Sequence, residues 1–306
     1  YDISECLVGS EMCIRDRYRV SITFRTVKGN HRYMKDRVLS GVTLVAFFMA
    51  IVVFNRSFPL ALNIAIAFIS ALAVFEVIKA LELSDRWYIT VPGMTAAVLV
   101  QFCEFQQANI FIYSAFTACI FCALLRHHRE ITFKEMAVVY SMVVLIPLAL
   151  QTIVLVRTLS DQHGMFYALV CVFSAWIPDA GAFFAGKLFG KHKLCPEISP
   201  KKTVEGLIGG VLSSVIILQF VGLIFTYGIY GGERQANWLS LLIIGFFGAF
   251  VSVLGDLSFS LIKRSCHVKD FGSVIPGHGG ILDRFDSVIF TAPFVYMVTM
   301  LLPIVS

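Results

Sequence analysis

Residues 238–264, WLSLLIIGFFGAFVSVLGDLSFSLIKR, decide the fold. Between Trp238 and Ile262 the only charged residue is Asp256. A run of this length is enough for a helix to cross about 30 Å of hydrocarbon, which takes about 20 residues. It is far too long for a barrel strand of about 10 residues, and only helices and closed barrels satisfy their backbone in lipid. The stretch is not uniformly apolar, however. Ser252, Asp256, Ser260 and Lys263 fall at i, i+4, i+8 and i+11, one stripe along a helix. A polar stripe on a spanning helix must face protein or water, because lipid offers it no partner. An ionisable group at the bilayer centre costs about 2.5–3.5 kcal/mol, so Asp256 needs a reason to be there.

The rest of the chain repeats this pattern. Hydrophobic residues make up 58% and charged residues 15%, with a mean hydropathy of +0.80. Soluble domains run at about 45–50% apolar and about 25% charged. A secreted module, a disordered chain and a nucleic-acid-binding domain are therefore excluded. The apolar runs are Val38–Phe54, Phe58–Ala80, Trp87–Cys103, Ala108–Leu125, Met136–Val156, Met165–Phe189, Val204–Tyr230, Trp238–Ile262 and Phe285–Val305. They predict an all-α polytopic membrane protein of about nine transmembrane helices, the third and fourth being marginal. No repeat of fixed period is present.

Tyr1–Arg17, YDISECLVGSEMCIRDR, is polar and unlike the remainder of the chain; it resembles a translated sequencing-adapter stretch. Residues 1–33 are accordingly read as a non-native or disordered extension, with Met34 as the expected start. Residues 34–306 are read as one membrane-embedded domain.

Basic residues set the orientation. One set of alternate loops holds Lys79, Arg86, Arg126, Arg129, Lys134, Lys187, Lys191, Lys193, Lys201, Lys202, Lys263, Arg264, Lys269 and Arg284; the other holds only Arg56, Arg157 and Arg234. Lys35 and Arg37 add to the richer side. The N-terminus is expected in the cytoplasm and, with nine spans, the C-terminus outside. The net charge of +5 follows from this topology and implies no nucleic acid partner. Cys119 and Cys122 form a CxxC within a span without a second pair to complete a zinc tetrad, and His127–His128 read as a solvated loop.

Three carboxylates lie within apolar runs: Glu76, Asp179 and Asp256. Glu76 sits about one turn from the cytoplasmic end of its span, where snorkelling or pairing with Lys79 explains it. Asp179 lies in WIPDAGAFFAGKLFGK, where Pro178 is expected to break or kink the helix and Gly181, Ala182, Ala185, Gly186 and Gly190 offer small side chains along it. A packing face alone would not need the acid, so Asp179 is expected to face a polar cavity. In Ser199-Pro200-Lys201-Lys202-Thr203, two readings stand equal: an N-cap at Thr203 with flanking lysines, or an anion site at a helix N-terminus.

Asp256 leads directly into KRSCHVKDFGSVIPGHGGILDRFD, which gathers Lys263, Arg264, Lys269, Asp270, His278, Asp283, Arg284 and Asp286. Gly277, Gly279 and Gly280 allow close backbone approach to a ligand. Carboxylates attract hard cations such as Mg²⁺, and Lys and Arg neutralise phosphate charge during transfer. Both together at a membrane boundary point to phosphoryl or nucleotidyl transfer onto a lipid phosphate.

At these positions the sequence resembles a known family. Ser260-Leu-Ile-Lys263-Arg264, then Lys269-Asp270, then Pro276-Gly-His278-Gly279-Gly280, then Asp283-Arg284-Phe-Asp286 is similar to the diagnostic motif of the phosphatidate cytidylyltransferases, the CDP-diacylglycerol synthases. The SPKKTVEG stretch, the segment from Asp179 and the Gly255-Asp256 pair also match. The resemblance implies that CTP and phosphatidic acid give CDP-diacylglycerol and pyrophosphate in an integral membrane homodimer. It implies Mg²⁺ in a paired metal centre on Asp256 and Asp283, with K⁺ the candidate for the second ion and Asp286 as support. Lys263, Arg264, Lys269 and Arg284 would neutralise the phosphates. His278 would orient a phosphate or donate a proton, and Lys201, Lys202, Asp179, Ser260, Gly279 and Gly280 would line the substrate cavity. A phosphate monoester is already ionised at neutral pH, so no general base is required. The competing readings are a transporter with Asp179 and Asp256 as ion-coupling carboxylates, a polyprenol kinase, or a cytidylyltransferase for ether lipids.

Overall fold

A computed structural model describes residues 46, 50, 51, 54, 58–103, 106–160, 162–229, 231, 233–272 and 279–305. Eight helices are described: α1 (Ala61–Ala80), α2 (Trp87–Val100), α3 (Gln106–Arg126), α4 (Phe133–Thr158), α5 (Gly164–Phe189), α6 (Val204–Leu223), α7 (Trp238–Ser265) and α8 (Leu282–Leu301). Seven are long and apolar enough to cross a membrane, α6 counting with the π-helical turn Ile224–Ile229 that extends it. The chain is an all-α, multi-pass integral membrane protein. The first predicted span, Val38–Phe54, lies almost wholly outside the described residues, as does the extension 1–33.

The remaining helix is α2, the third predicted run. Its 14 residues rise about 21 Å, short of the hydrocarbon thickness. Buried glutamines tie its end to α4: Gln151 donates to the carbonyls of Val100 and Cys103 at 2.8 and 2.7 Å, and Gln101 donates to the carbonyl of Pro147 within α4 at 2.9 Å. Carbonyls that end a helix where water is scarce need such donors.

Local chemistry starts the helices. At α4, Thr132 accepts from the amide of Glu135 while the Glu135 carboxylate accepts from the amide of Thr132, a capping box. At α7, Asn237 accepts from Ser240. At α6, Thr203 accepts from Gly206 at 3.1 Å, so its N-cap reading holds. The lysines before it lie on an antiparallel hairpin, β1 (Lys193–Cys195) with β2 (Ser199–Thr203), a strand pair that the helical periodicity did not announce.

Helices α1 to α4 pack as one group and α5 to α8 as another, with α4 and α8 joining them. The α5–α6 interface is the most extensive, and small residues make it so. A side chain at Gly209 would overlap the Ala185 methyl, one at Gly181 would overlap the Ser213 hydroxyl, and one at Gly210 would stand 2.8 Å from the Pro178 carbonyl. The packing face read at Gly181–Gly186 is real, and helix α5 runs through Pro178 without the expected break. Replacing Gly209 by Leu is expected to lower the thermal unfolding midpoint in detergent by about 5 °C or more, since overpacking costs about 1–3 kcal/mol. Ile208→Leu, at the neighbouring lipid-facing position, should leave the midpoint unchanged.

Candidate active site

A cavity of about 450 Å³ lies where α5, α6, α7 and α8 meet the hairpin and the segment after α7. The volume is ordinary for a small-molecule site. Its charged lining comprises Asp179, Asp256, Asp270, Asp283, Asp286, Lys187, Lys201, Lys202, Lys263 and Arg284.

The polar stripe of α7 supplies one wall. Ser252, buried against α5, donates to the Asp179 carboxylate at 3.1 Å and also reaches the carbonyl of Ala175. One turn on, Asp256 receives the Ser260 hydroxyl at 3.3 Å and pairs with Lys202 of β2 at 2.6 Å. The hairpin therefore delivers its lysine to the carboxylate that the stripe had marked. Asp179 takes a second hydroxyl from Ser287 of α8 at 2.7 Å, so its two oxygens join α5 to α7 and α8.

The opposite wall is the first turn of α8. Asp283 is 8% exposed and Asp286 7%. Lys263, at the end of α7, reaches Asp283 at 2.9 Å and Asp286 at 3.7 Å. The other oxygen of Asp283 accepts from the amides of Phe271 and Gly280, at 3.0 and 2.9 Å. Gly279, with φ +87°, occupies the left-handed region, and a side chain there would press against Asp283 at 3.0 Å. Asp286 accepts from the amide of Ser287 at 2.8 Å. Asp283, in the first turn of α8, is favoured by the positive end of the helix dipole, and Asp286 follows one turn on.

Asp256 and Asp283, far apart in sequence, thus face one cavity, together with Asp179, Asp286, Lys201, Lys202, Lys263 and Arg284. Ser260 stands behind Asp256, and Gly279 and Gly280 border Asp283. Arg264 and Lys269 are exposed and do not line the cavity. His278 lies outside the described residues.

The donor chemistry fits a hard cation. Asp256, Asp283 and Asp286 offer only carboxylate oxygens, and ammonium groups already stand against all three. Among the described residues no three His, Cys, Asp or Glu side chains are grouped so as to hold a metal ion by themselves. Mg²⁺ suits such an open arrangement, since it binds through one or two carboxylates and completes its shell with water and substrate phosphates.

Two participants escaped the sequence reading. Ser287 bridges Asp179 and Asp286, but a lone serine after an acid carries no signal of that role. Glu76 neither snorkels nor turns to Lys79. Its carboxylate accepts from the amides of Ile281 and Leu282 at 2.9 and 2.8 Å, at the start of α8. A buried acid in an apolar span was the available signal; its partner 205 positions away was not.

A sequence profile described as Cytidylyltransferase family matches residues 35–302. A phosphatidate cytidylyltransferase of Bacillus subtilis (strain 168) is 32% identical over 275 residues, covering 86% of this chain and 96% of the relative. Phosphatidate cytidylyltransferases of Haemophilus influenzae and Staphylococcus saprophyticus are 42% and 46% identical over 137 and 132 residues. Those two matches cover 45% and 43% of this chain and about half of each relative, 46% and 48%. Nearly the whole chain from Lys35 onward thus aligns with the profile, and the chain belongs to the cytidylyltransferase family.

Proposed function

We propose that this protein transfers the cytidylyl group of CTP to phosphatidate, giving CDP-diacylglycerol and pyrophosphate for phospholipid synthesis. The observation that carries the reading is the mixed-sign cavity, in which lysines stand on aspartates beside helices whose outer faces are apolar. A nucleoside triphosphate brings about four negative charges to a site, and positive charge already lining a cavity offsets them. The relatives' names supply the nucleotide and the lipid.

The chemistry is an in-line displacement. A phosphatidate oxygen attacks the α-phosphorus of CTP, the new P–O bond forms, and the bond to the β-phosphate oxygen breaks as pyrophosphate leaves. Asp256 and Asp283, supported by Asp286, would hold Mg²⁺, with K⁺ the candidate for a second ion. Bound there, the metal supplies Lewis-acid neutralisation of donor and acceptor phosphates. Lys202 and Lys263 line the cavity at ion-pair distance from these aspartates, so incoming phosphates compete with carboxylates for the same ammonium groups. Lys201 and Arg284 add positive charge to the lining. Positioning and electrostatics carry the rate, since the attacking monoester is already ionised.

The basic-loop asymmetry supports a cytoplasmic active site and N-terminus in a bacterial inner or plasma membrane, because the cavity opens among the lysine-rich segments. A homodimer, which the family resemblance implies, belongs to the same proposal.

Purified protein given labelled CTP and phosphatidic acid is expected to release pyrophosphate only when the lipid is present. Label passing from the γ-phosphate to a lipid alcohol would replace this reading with a lipid kinase. Chelation of divalent ions should abolish turnover and added Mg²⁺ restore it; full activity after exhaustive chelation would remove the metal from the mechanism. Asp283→Asn is expected to remain folded, because the amide oxygen still accepts from the loop, while turnover falls below about a tenth of wild type. Retained activity above that level would rule out Asp283 as a metal ligand.

A further inference from the structure

Helix α8 carries Asp283 and Asp286, yet its N-cap residue makes no side-chain capping bond. The residue at its N-cap, Ile281, has no side chain able to accept a hydrogen bond. The first amides of a helix need acceptors from elsewhere. Here the acceptor comes from α1, where both oxygens of Glu76 are engaged, one by Ile281 and one by Leu282. Glu76 is 1% exposed and the only acid of α1, so the span carries an ionisable side chain despite its insertion cost.

Two glycines that precede α8 lie against the same carboxylate. A side chain at Gly272 or at Gly280 would collide with the Glu76 carboxyl group. Phe271 and Gly280, beside those contacts, donate their amides to Asp283. Two carboxylates therefore hold the two ends of the signature segment. Glu76 holds the amides of residues 281 and 282 and packs against Gly272 and Gly280, and Asp283 holds the amides of residues 271 and 280. This arrangement spends one oxygen of Asp283 on the segment and leaves the other turned to Lys263 and the cavity.

We infer that Glu76 is a positioning residue for the transfer reaction: a trans-acting cap from α1 that sets where the start of α8 presents Asp283 and, one turn on, Asp286. The inference rests on the proposed function and extends it to a residue that touches neither substrate. Carboxylate placement matters steeply here, since a displacement of about 1 Å in a reacting constellation costs on the order of 100-fold in rate. Glutamine at position 76 keeps the volume but replaces one acceptor with an NH₂ that faces a backbone N–H. Gly272→Ala keeps the acid and displaces it by a methyl group.

The test combines steady-state turnover of CTP and phosphatidate with hydrogen–deuterium exchange of the peptide covering residues 279–285. Glu76→Gln is expected to lower kcat by about 10- to 100-fold with the KM for phosphatidate nearly unchanged, and to speed exchange at Ile281 and Leu282. Gly272→Ala should do the same more mildly, and the double variant should be no worse than Glu76→Gln alone, because both act on one contact. Turnover of Glu76→Gln within about twofold of wild type, or unchanged exchange in that peptide, overturns the inference. If Glu76→Gln does not fold, Gly272→Ala decides by the same two readouts. Wild-type protein without lipid-dependent pyrophosphate release would instead defeat the proposed function, and the exchange measurement would still decide whether Glu76 holds α8.

Discussion

Negative charge drawn into the end of a helix bundle must be answered by donors or by positive charge, and that requirement arranges this molecule. Asp179, Glu76, Asp283 and Asp286 all lie within apolar helices. Each is met by a different device: serine hydroxyls for Asp179, helix-starting amides for Glu76, loop amides plus an ammonium for Asp283, and the same ammonium with the Ser287 amide for Asp286. Buried polar groups lacking such partners cost about 1–3 kcal/mol each, more when charged. The tertiary arrangement of α1, α5, α7 and α8 is the solution to that set of demands.

The α5–α6 contact makes the solution reachable. Glycines at 206, 209 and 210 let the α6 backbone settle against Ala182, Ala185 and the Pro178 carbonyl. Close approach of these two helices draws the hairpin and Lys202 toward Asp256 across the cavity. Packing and function share one segment here, so the choice between a small-residue face and a functional aspartate at Asp179 had no single answer. In lipid, where apolar burial drives no association between helices, such close contact is the main source of specificity.

Much of this was legible in the sequence because spans announce themselves by length and loops by charge. The eight helices among the described residues fall on eight of the predicted runs, and the stripe at Ser252, Asp256, Ser260 and Lys263 faces protein and the cavity as its periodicity required, Asp256 and Lys263 lining the cavity and the serines bonding to Asp179 and Asp256. What was not legible had no local signal. The hairpin at Lys193–Thr203 is too short and too basic to show an alternating pattern. Glu76 looked like a snorkelling acid because Lys79 stood one turn away, and helical spacing favours near partners over one 205 positions distant. Arg264 and Lys269 share the signature segment with Lys263, but helical rotation past Lys263 turns Arg264 outward, and Lys269 follows the end of α7.

The polarity of the helices explains why the charges divide as they do. Helix α7 ends at the cavity with Lys263 and Arg264 in its last turn, whereas α8 begins there with Asp283 in its first. The carbonyl end of one helix favours cations and the amide end of the other favours anions. Two antiparallel neighbours thus set a positive and a negative wall face to face, with Lys263 crossing between them. Hairpin β1–β2 repeats the device from the other side, placing Lys202 on Asp256 just before α6 begins. A site built from such pairs is near neutral at rest, yet each ammonium paired in it has a carboxylate that a cation can take over. That is the property a polyanionic substrate demands: positive charge held in place until phosphate arrives, and released to it without any large movement of the backbone.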